Sequence, residues 1–120
     1  MTDRKEPLEV YFYITASGNE PVKEWLKSLP REDMRTIGID IKTLQYGYPI
    51  GMPLTRLLHG TKGLQEIRSN ISSGISRVIF YVEDNTIILL HGFIKKSQET
   101  PQKELDTAIK RYKDILSRKG

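Results

Sequence analysis

The sequence predicts a single α+β domain in which an antiparallel meander lies between helical segments. Residues 64–94 fall into three strand-like runs separated by short turn segments. Apolar residues recur at three- and four-residue spacing on both sides of that stretch, over 31–46 and again after Pro101. A chain of 120 residues suits one compact core, residues 1–120, without a second domain.

The elements follow in order. Leu8 to Thr15 (LEVYFYIT) is rich in β-branched and aromatic residues and reads as a first strand. Ser17-Gly18-Asn19 breaks it. Asn19 as N-cap and Pro21 in the first turn predict a short helix, Pro21 to Ser28, with Val22, Trp25, Leu26 and Leu29 toward the core. Pro30 ends it. Arg31 to Tyr46 reads as a second helix with a stripe of Met34, Ile37, Ile41 and Leu44, and Gly47 is expected to supply a left-handed C-terminal turn. The two helices predict a helical hairpin laid against a sheet.

Residues 48–63 are loop-like, with a short strand expected at Leu54 to Leu58. Three clearer strands follow: Leu64 to Ile71, Ile75 to Glu83, and Thr86 to Ile94. Ser72-Ser73-Gly74 and Glu83-Asp84-Asn85 are hairpin turns by composition. Thr100 as N-cap and Pro101 in the first turn open a last helix, whose apolar stripe is Leu105, Ala108, Ile109, Tyr112 and Leu116.

Composition narrows the chemistry. There is no cysteine, so disulfides, thiolate metal sites and cysteine nucleophiles are excluded. Two histidines without an acidic cluster beside them make a poor metal site, so neither metal nor cofactor is expected. There is no phosphate-binding glycine loop, no GxSxG and no carboxylate pair suited to glycoside hydrolysis. No apolar run approaches the roughly 18–20 residues of a membrane span. The charged N-terminus lacks an apolar signal core, so a cytoplasmic location is expected. Net charge is +4, and from His91 to Gly120 there are eight Lys or Arg against four Asp or Glu. A basic C-terminal third suits phosphate or an acidic protein partner, and equally a solvated helix face.

Strand alternation places Val78, Phe80 and Val82 on one face and Arg77, Ile79 and Tyr81 on the other. The first group suits a core under helices, which leaves Arg77 and Tyr81 on the more open face. Glu66 and Arg68 share parity opposite Ile67, and so join that open face as a surface pair. Two arginines on adjacent strands then make a small cationic patch. Exposed sheets also carry such residues for solubility alone. The third strand ends in His91-Gly92-Phe93-Ile94-Lys95-Lys96, and Gly92 permits close approach by a ligand or a neighbouring strand. His91 and His59 read equally as structural residues.

The runs Gly63-Leu64-Gln65-Glu66-Ile67-Arg68, Arg77-Val78-Ile79-Phe80-Tyr81, His91-Gly92-Phe93-Ile94-Lys95-Lys96 and Thr100-Pro101, with Glu104, Ala108 and Arg111 after them, resemble the RelE/ParE superfamily of toxins. The likeness is greatest to its HigB-type, phage-derived RelE-like branch and spans Leu8 to about Leu116. The resemblance implies a curved antiparallel sheet of four to five strands with helices packed on one side. It implies the toxin of a type II toxin–antitoxin system, neutralised by a cognate antitoxin, here expected to be a helix-turn-helix protein. It also implies cleavage of messenger RNA on the ribosome.

Metal-free cleavage would use the ribose 2′-hydroxyl as nucleophile on the neighbouring phosphate. Arginine suits stabilisation of the phosphoryl charge, because it stays charged and forks onto phosphate oxygens. Arg68 and Arg77 are the candidates. His91 has the right ordinary pKa for a general base, roughly 6.5, whereas a lysine such as Lys95 starts near 10.4 and needs close cations to lower it. Lys96, Tyr81, Phe93 and Lys62 are the candidate RNA contacts, through charge or stacking. Two other readings stay open: a ParE-like poison of DNA gyrase, and a phage-derived binding module without chemistry. The histidine and lysine cluster favours the nuclease, because a gyrase binder needs no proton transfer.

Overall fold

A computed structural model of the chain describes residues 6–95 and 100–119. Five strands form one open sheet in the order β1-β5-β4-β3-β2. They are β1 Glu9–Phe12, β2 Thr55–Leu57, β3 Gln65–Ile71, β4 Gly74–Glu83 and β5 Thr86–Lys95. Helices α1 Pro21–Ser28 and α2 Arg31–Gly47 precede the meander, and α3 Gln102–Lys119 follows it. The α+β architecture is the expected one. The meander β2-β3-β4-β5 is antiparallel throughout. β1 instead runs parallel to β5, from Glu9↔Thr86 to Phe12↔Leu89. The sheet is therefore mixed: no hairpin joins these two strands, so nothing local imposes an antiparallel direction.

Both faces of the sheet are covered, which corrects the expectation of helices on one side only. On one face, Val22 and Leu26 of α1 and Ile37, Ile41 and Leu44 of α2 pack on Ile67, Val78, Phe80, Ile87 and Leu89. On the other, Ala108, Leu105, Ile109 and Tyr112 of α3 pack with Leu64, Ile79, Tyr81, Leu90 and Phe93. The reason lies in β4. Ile79 and Tyr81 are as apolar as Val78 and Phe80, and a strand apolar on both sides is stable only when both are covered. The apolar stripe of α3 supplies the second cover.

Two polar links tie α2 to the sheet. The N–H and hydroxyl of Ser72, in the β3–β4 turn, donate to the buried Asp33 carboxylate at 3.0 and 2.6 Å. The Ser69 hydroxyl donates to Asp40 at 2.5 Å. Three end signals act differently from expectation. Glu20, not Asn19, is the cap residue of α1, and its N–H donates to the Glu24 carboxylate at 3.3 Å. Gly47 stays helical, and the chain leaves α2 at Tyr48 without a left-handed turn. What Gly47 provides is room, since a Cβ there would stand 2.9 Å from Ile50 Cδ1. The Pro101 carbonyl accepts the first α3 N–H groups, from Glu104 and Leu105, while the Thr100 hydroxyl is engaged in the sheet.

β5 carries a bulge. Ile79 pairs with His91 while Phe80 pairs with Leu89, so Leu90 is the extra residue. Leu90 and His91 consequently both face α3, and Gly92 returns to the α1 side. There the expected close approach occurs, and the neighbour is an aromatic side chain. The Trp25 indole lies on Gly92, with Cε3 and Cζ3 each 2.4 Å from where a Cβ would stand. Gly92→Ala is predicted to lower stability by about 1–3 kcal/mol in urea unfolding, the cost of overpacking a filled site. Adding Trp25→Leu is expected to recover part of that loss, and strictly additive losses would contradict this account of the contact.

Candidate functional site

The site is built around one carboxylate. Glu66 on β3 is wholly inaccessible to solvent. Arg56 on β2 is its cross-strand partner and reaches it at 3.0 Å, and Arg77 on β4 reaches it at 3.3 Å. Thr100, just before α3, donates its hydroxyl to the other carboxylate oxygen at 2.8 Å. The same hydroxyl accepts from Arg77 at 3.2 Å and from Arg56 at 3.4 Å. Arg77 is also fully buried. Burial lowers its pKa from the ordinary arginine value, Glu66 opposes that shift, and the charges of Arg68 and Arg56 reinforce it. A guanidinium keeps its proton through such a change. The shared parity of Arg68 and Arg77 is as expected, but the face that carries them is covered, because α3 and Thr100 close over it. Glu66 is correspondingly no surface partner of Arg68: it is buried and spent on Arg56 and Arg77.

Arg68 stands directly across from Arg77. Its N–H donates away from β4, to Leu54 O at 2.8 Å, so Arg68 and Arg77 form a pair without mutual backbone hydrogen bonds. In such a pair the Cα atoms lie only about 4.5 Å apart and the side chains are closest. Like charges placed this way repel. The Arg68 side chain has no ion pair or hydrogen bond among the described residues, and its Nε is buried without a partner. It lines a shallow pocket of about 330 Å³ with Asp40, Pro53, Leu54, Asn70 and Ile75.

A second polar cluster lies on the same face. His91 Nε2 is 2.6 Å from Glu104 Oε1 on α3, and Arg111 on α3 approaches His91 Nδ1 at 3.2 Å. Arginine only donates, so Nδ1 accepts and Nε2 carries the proton given to Glu104. His91 is thus held as one neutral tautomer. Its pKa is lowered from the usual value, mainly by burial; Glu104 opposes this and Arg111 adds to it. Arg111 also donates to Leu90 O at 2.8 Å, which pins the bulge to α3. Phe93 stacks on His91 with ring centres 5.6 Å apart, and it is the cross-strand neighbour of Arg77. It therefore stands between the two clusters.

The remaining expected site residues are distributed as follows. Lys95 is half-buried at the end of β5, opposite Ile75, on the face of Arg77. Phe93 and Tyr81 are buried, Tyr81 edge-on to Tyr112 at 4.7 Å between ring centres. Neither ring is presented to solvent, because α3 covers both. Burial pushes the Tyr81 phenol up to about 12. Lys62 is exposed with a left-handed backbone and lies beside Ile109 and Lys113, roughly two helical turns along α3 from Glu104. Lys96 lies outside the described residues. Among the described residues no three acidic or imidazole side chains converge on a metal position. No described helix is long and apolar enough to cross a membrane. Arg56 was missed by sequence reasoning, because a three-residue strand carries too little periodicity to orient it. Glu104 and Arg111 were named only as parts of the family resemblance, although their spacing from the α3 stripe turns them toward the sheet.

A family model described as phage derived protein Gp49-like (DUF891) matches residues 24–113, most of the chain. The chain belongs to the Gp49-like family. Its members are RelE-like toxins of toxin–antitoxin systems, which bears out the coarse resemblance drawn from the sequence. No curated protein matches the chain.

Two outcomes follow for the Gp49-like chain. Below roughly pH 6.5 an unfolded chain protonates its imidazole, whereas folded His91, with its lowered pKa, resists. Stability is therefore lost as pH falls below that point, and this component is absent at neutral pH and above. His91→Gln should flatten the pH dependence of urea unfolding between pH values of about 7.5 and 5.5, and parallel curves for both proteins would refute the linkage. The Tyr81 hydroxyl is buried without a hydrogen-bond partner among the described residues. Tyr81→Phe should leave the unfolding midpoint unchanged or raise it, because no bond is lost; a clear drop would reveal a hydroxyl contact.

Proposed function

We propose that this Gp49-like protein is the toxin of a type II toxin–antitoxin system and a ribosome-dependent messenger RNA endoribonuclease of the HigB kind. The observation that carries the reading is Arg68. It faces Arg77 directly, makes no ion pair among the described residues, and opens onto a pocket, while the Glu66 carboxylate on its own strand is already spent on Arg56 and Arg77. A fold that tolerates this repulsion has a site ready for an anion. A phosphodiester is the anion that three convergent guanidiniums suit best.

In this mechanism the messenger's 2′-hydroxyl attacks the adjacent phosphate and the 5′-oxygen leaves. Arg68 binds the phosphoryl oxygens, and Arg56 and Arg77, fixed by Glu66, add a preorganised positive field. Lys95 is the proton donor to the leaving oxygen. Neutral His91 is the acceptor of the 2′-hydroxyl proton, a role that requires Arg111 to release Nδ1. Lys96 and Lys62 contact the RNA backbone of the ribosomal complex. The cognate antitoxin is a helix-turn-helix protein, on the strength of family membership and the basic α3.

The test is a translating extract with defined messenger. Wild-type protein should cleave it, and Arg68→Ala should cleave about 10²-fold or more slowly, the usual cost of losing one such charge donor, with its unfolding curve close to wild type. Intact messenger at high protein concentration while translation continues would sink the proposal. Stalled, cleaved DNA with purified gyrase would then assign the gyrase reading instead.

A further inference from the structure

The pocket beside Arg68 lies where β3 runs on past the start of β2. The two strands pair only from Thr55↔Ile67 to Leu57↔Gln65, with Leu54 O receiving the Arg68 N–H beyond that. Backbone alternation turns the Asn70 N–H and C=O toward the same edge. Pro53, Leu54 and Ile75 give the pocket apolar walls, and Asp40, Arg68 and Asn70 give it polar groups. Its volume of about 330 Å³ leaves room for a nucleobase. Ser69 donates to one Asp40 oxygen at 2.5 Å, which holds the carboxylate in place and leaves Oδ1 and the other lone pair of Oδ2 to accept.

Phosphate alone does not account for this lining. A carboxylate repels phosphate, and apolar walls add nothing to its binding. An unstacked RNA base uses both. Among the four bases, guanine alone offers a carboxylate two adjacent donors, N1–H and N2–H₂. On its other edges it presents O6 and N7 as acceptors for Asn70 or Arg68. Uracil offers one donor, and adenine and cytosine place a ring acceptor beside their amino group, against the carboxylate. We propose that this pocket is a guanine subsite, seating a guanosine next to the phosphate that Arg68 holds. The inference rests on the endoribonuclease reading for its substrate, and it makes Asp40 and Asn70 the residues that set sequence preference.

The experiment has two arms. In the first, the protein is titrated with the 3′-monophosphates of guanosine, adenosine, cytidine and uridine, and with inorganic phosphate, while backbone amide signals of residues 40, 68 and 70 are followed. Guanosine 3′-monophosphate should bind about tenfold or more tightly than the uridine nucleotide or phosphate, the scale of one bidentate base contact. Asp40→Asn keeps an oxygen for Ser69 but turns an acceptor into a donor; it and Asn70→Ala should erase that preference and leave phosphate binding in place. Equal binding of all five ligands would overturn the proposal. In the second arm, cut positions are mapped in the translating extract. Wild-type cuts should cluster beside G, and that bias should vanish in Asp40→Asn; an unaltered bias in the variant would overturn the proposal. A guanosine preference in the first arm without any cleavage in the second would support the subsite and refute the nuclease reading.

Discussion

Glu66 is a carboxylate without access to water, and much of the site is arranged around that constraint. Desolvating an ion costs several kcal/mol unless partners and hydrogen bonds replace the lost water. Arg56, Arg77 and Thr100 do so, and each comes from a different segment: β2, β4 and the approach to α3. The ion group therefore fastens a short edge strand and the start of the last helix to the middle of the sheet. It also couples them. Removing one buried member of such a group leaves the others uncompensated, at a cost of about 3–5 kcal/mol. No single residue in the group is free to vary alone.

The same group leaves a charge surplus that is fixed before any ligand arrives. Two guanidiniums share one carboxylate and a third, Arg68, faces Arg77 across the strands, while α3 keeps water away from the inner part of the cluster, where charge interactions act at a lower effective dielectric. Arg68 sits at the boundary between this covered zone and the open edge of β3. A ligand phosphate there would feel the field of Arg56 and Arg77 without displacing them. The design separates holding from contacting: the two arginines paired with Glu66 are held, and the outer one is available.

Much of this was legible in the residue pattern. Helix stripes and the meander are periodic, so they could be read directly. Parity alone put Arg68 and Arg77 on one face; the turn is two residues, Ser72-Ser73, where composition suggested three, and it sets Arg68 directly opposite Arg77. The exposure of that face was not legible, because Ile79 and Tyr81 suit a covered surface as well as an edge. The pairing of Glu66 was misread because alternate residues of one strand are obvious neighbours in sequence, whereas its true partners come from adjacent strands. Arg56 lies on a strand of three residues, too short to declare an orientation. The N-cap role expected of Thr100 was a sound local signal, overridden when Glu66 engaged the hydroxyl.

The extra residue at Leu90 acts as a phase shift in β5. Up to Leu89 the odd-numbered residues serve the α1–α2 core; beyond it the even-numbered ones do, beginning with Gly92 under Trp25. One unpaired position thus decides that His91, Phe93 and Lys95 stand with the arginines instead of inside the opposite core. For the evolution of this strand, regular pairing of Leu90 with Ile79, which would close the bulge, is a different kind of event from any substitution that keeps it. It would exchange the contents of the two faces at a stroke, driving an imidazole and an ammonium group toward Trp25 and emptying the α3 side of its polar groups. Side chains along β5 can drift one at a time, whereas the bulge is locked to the position of the site.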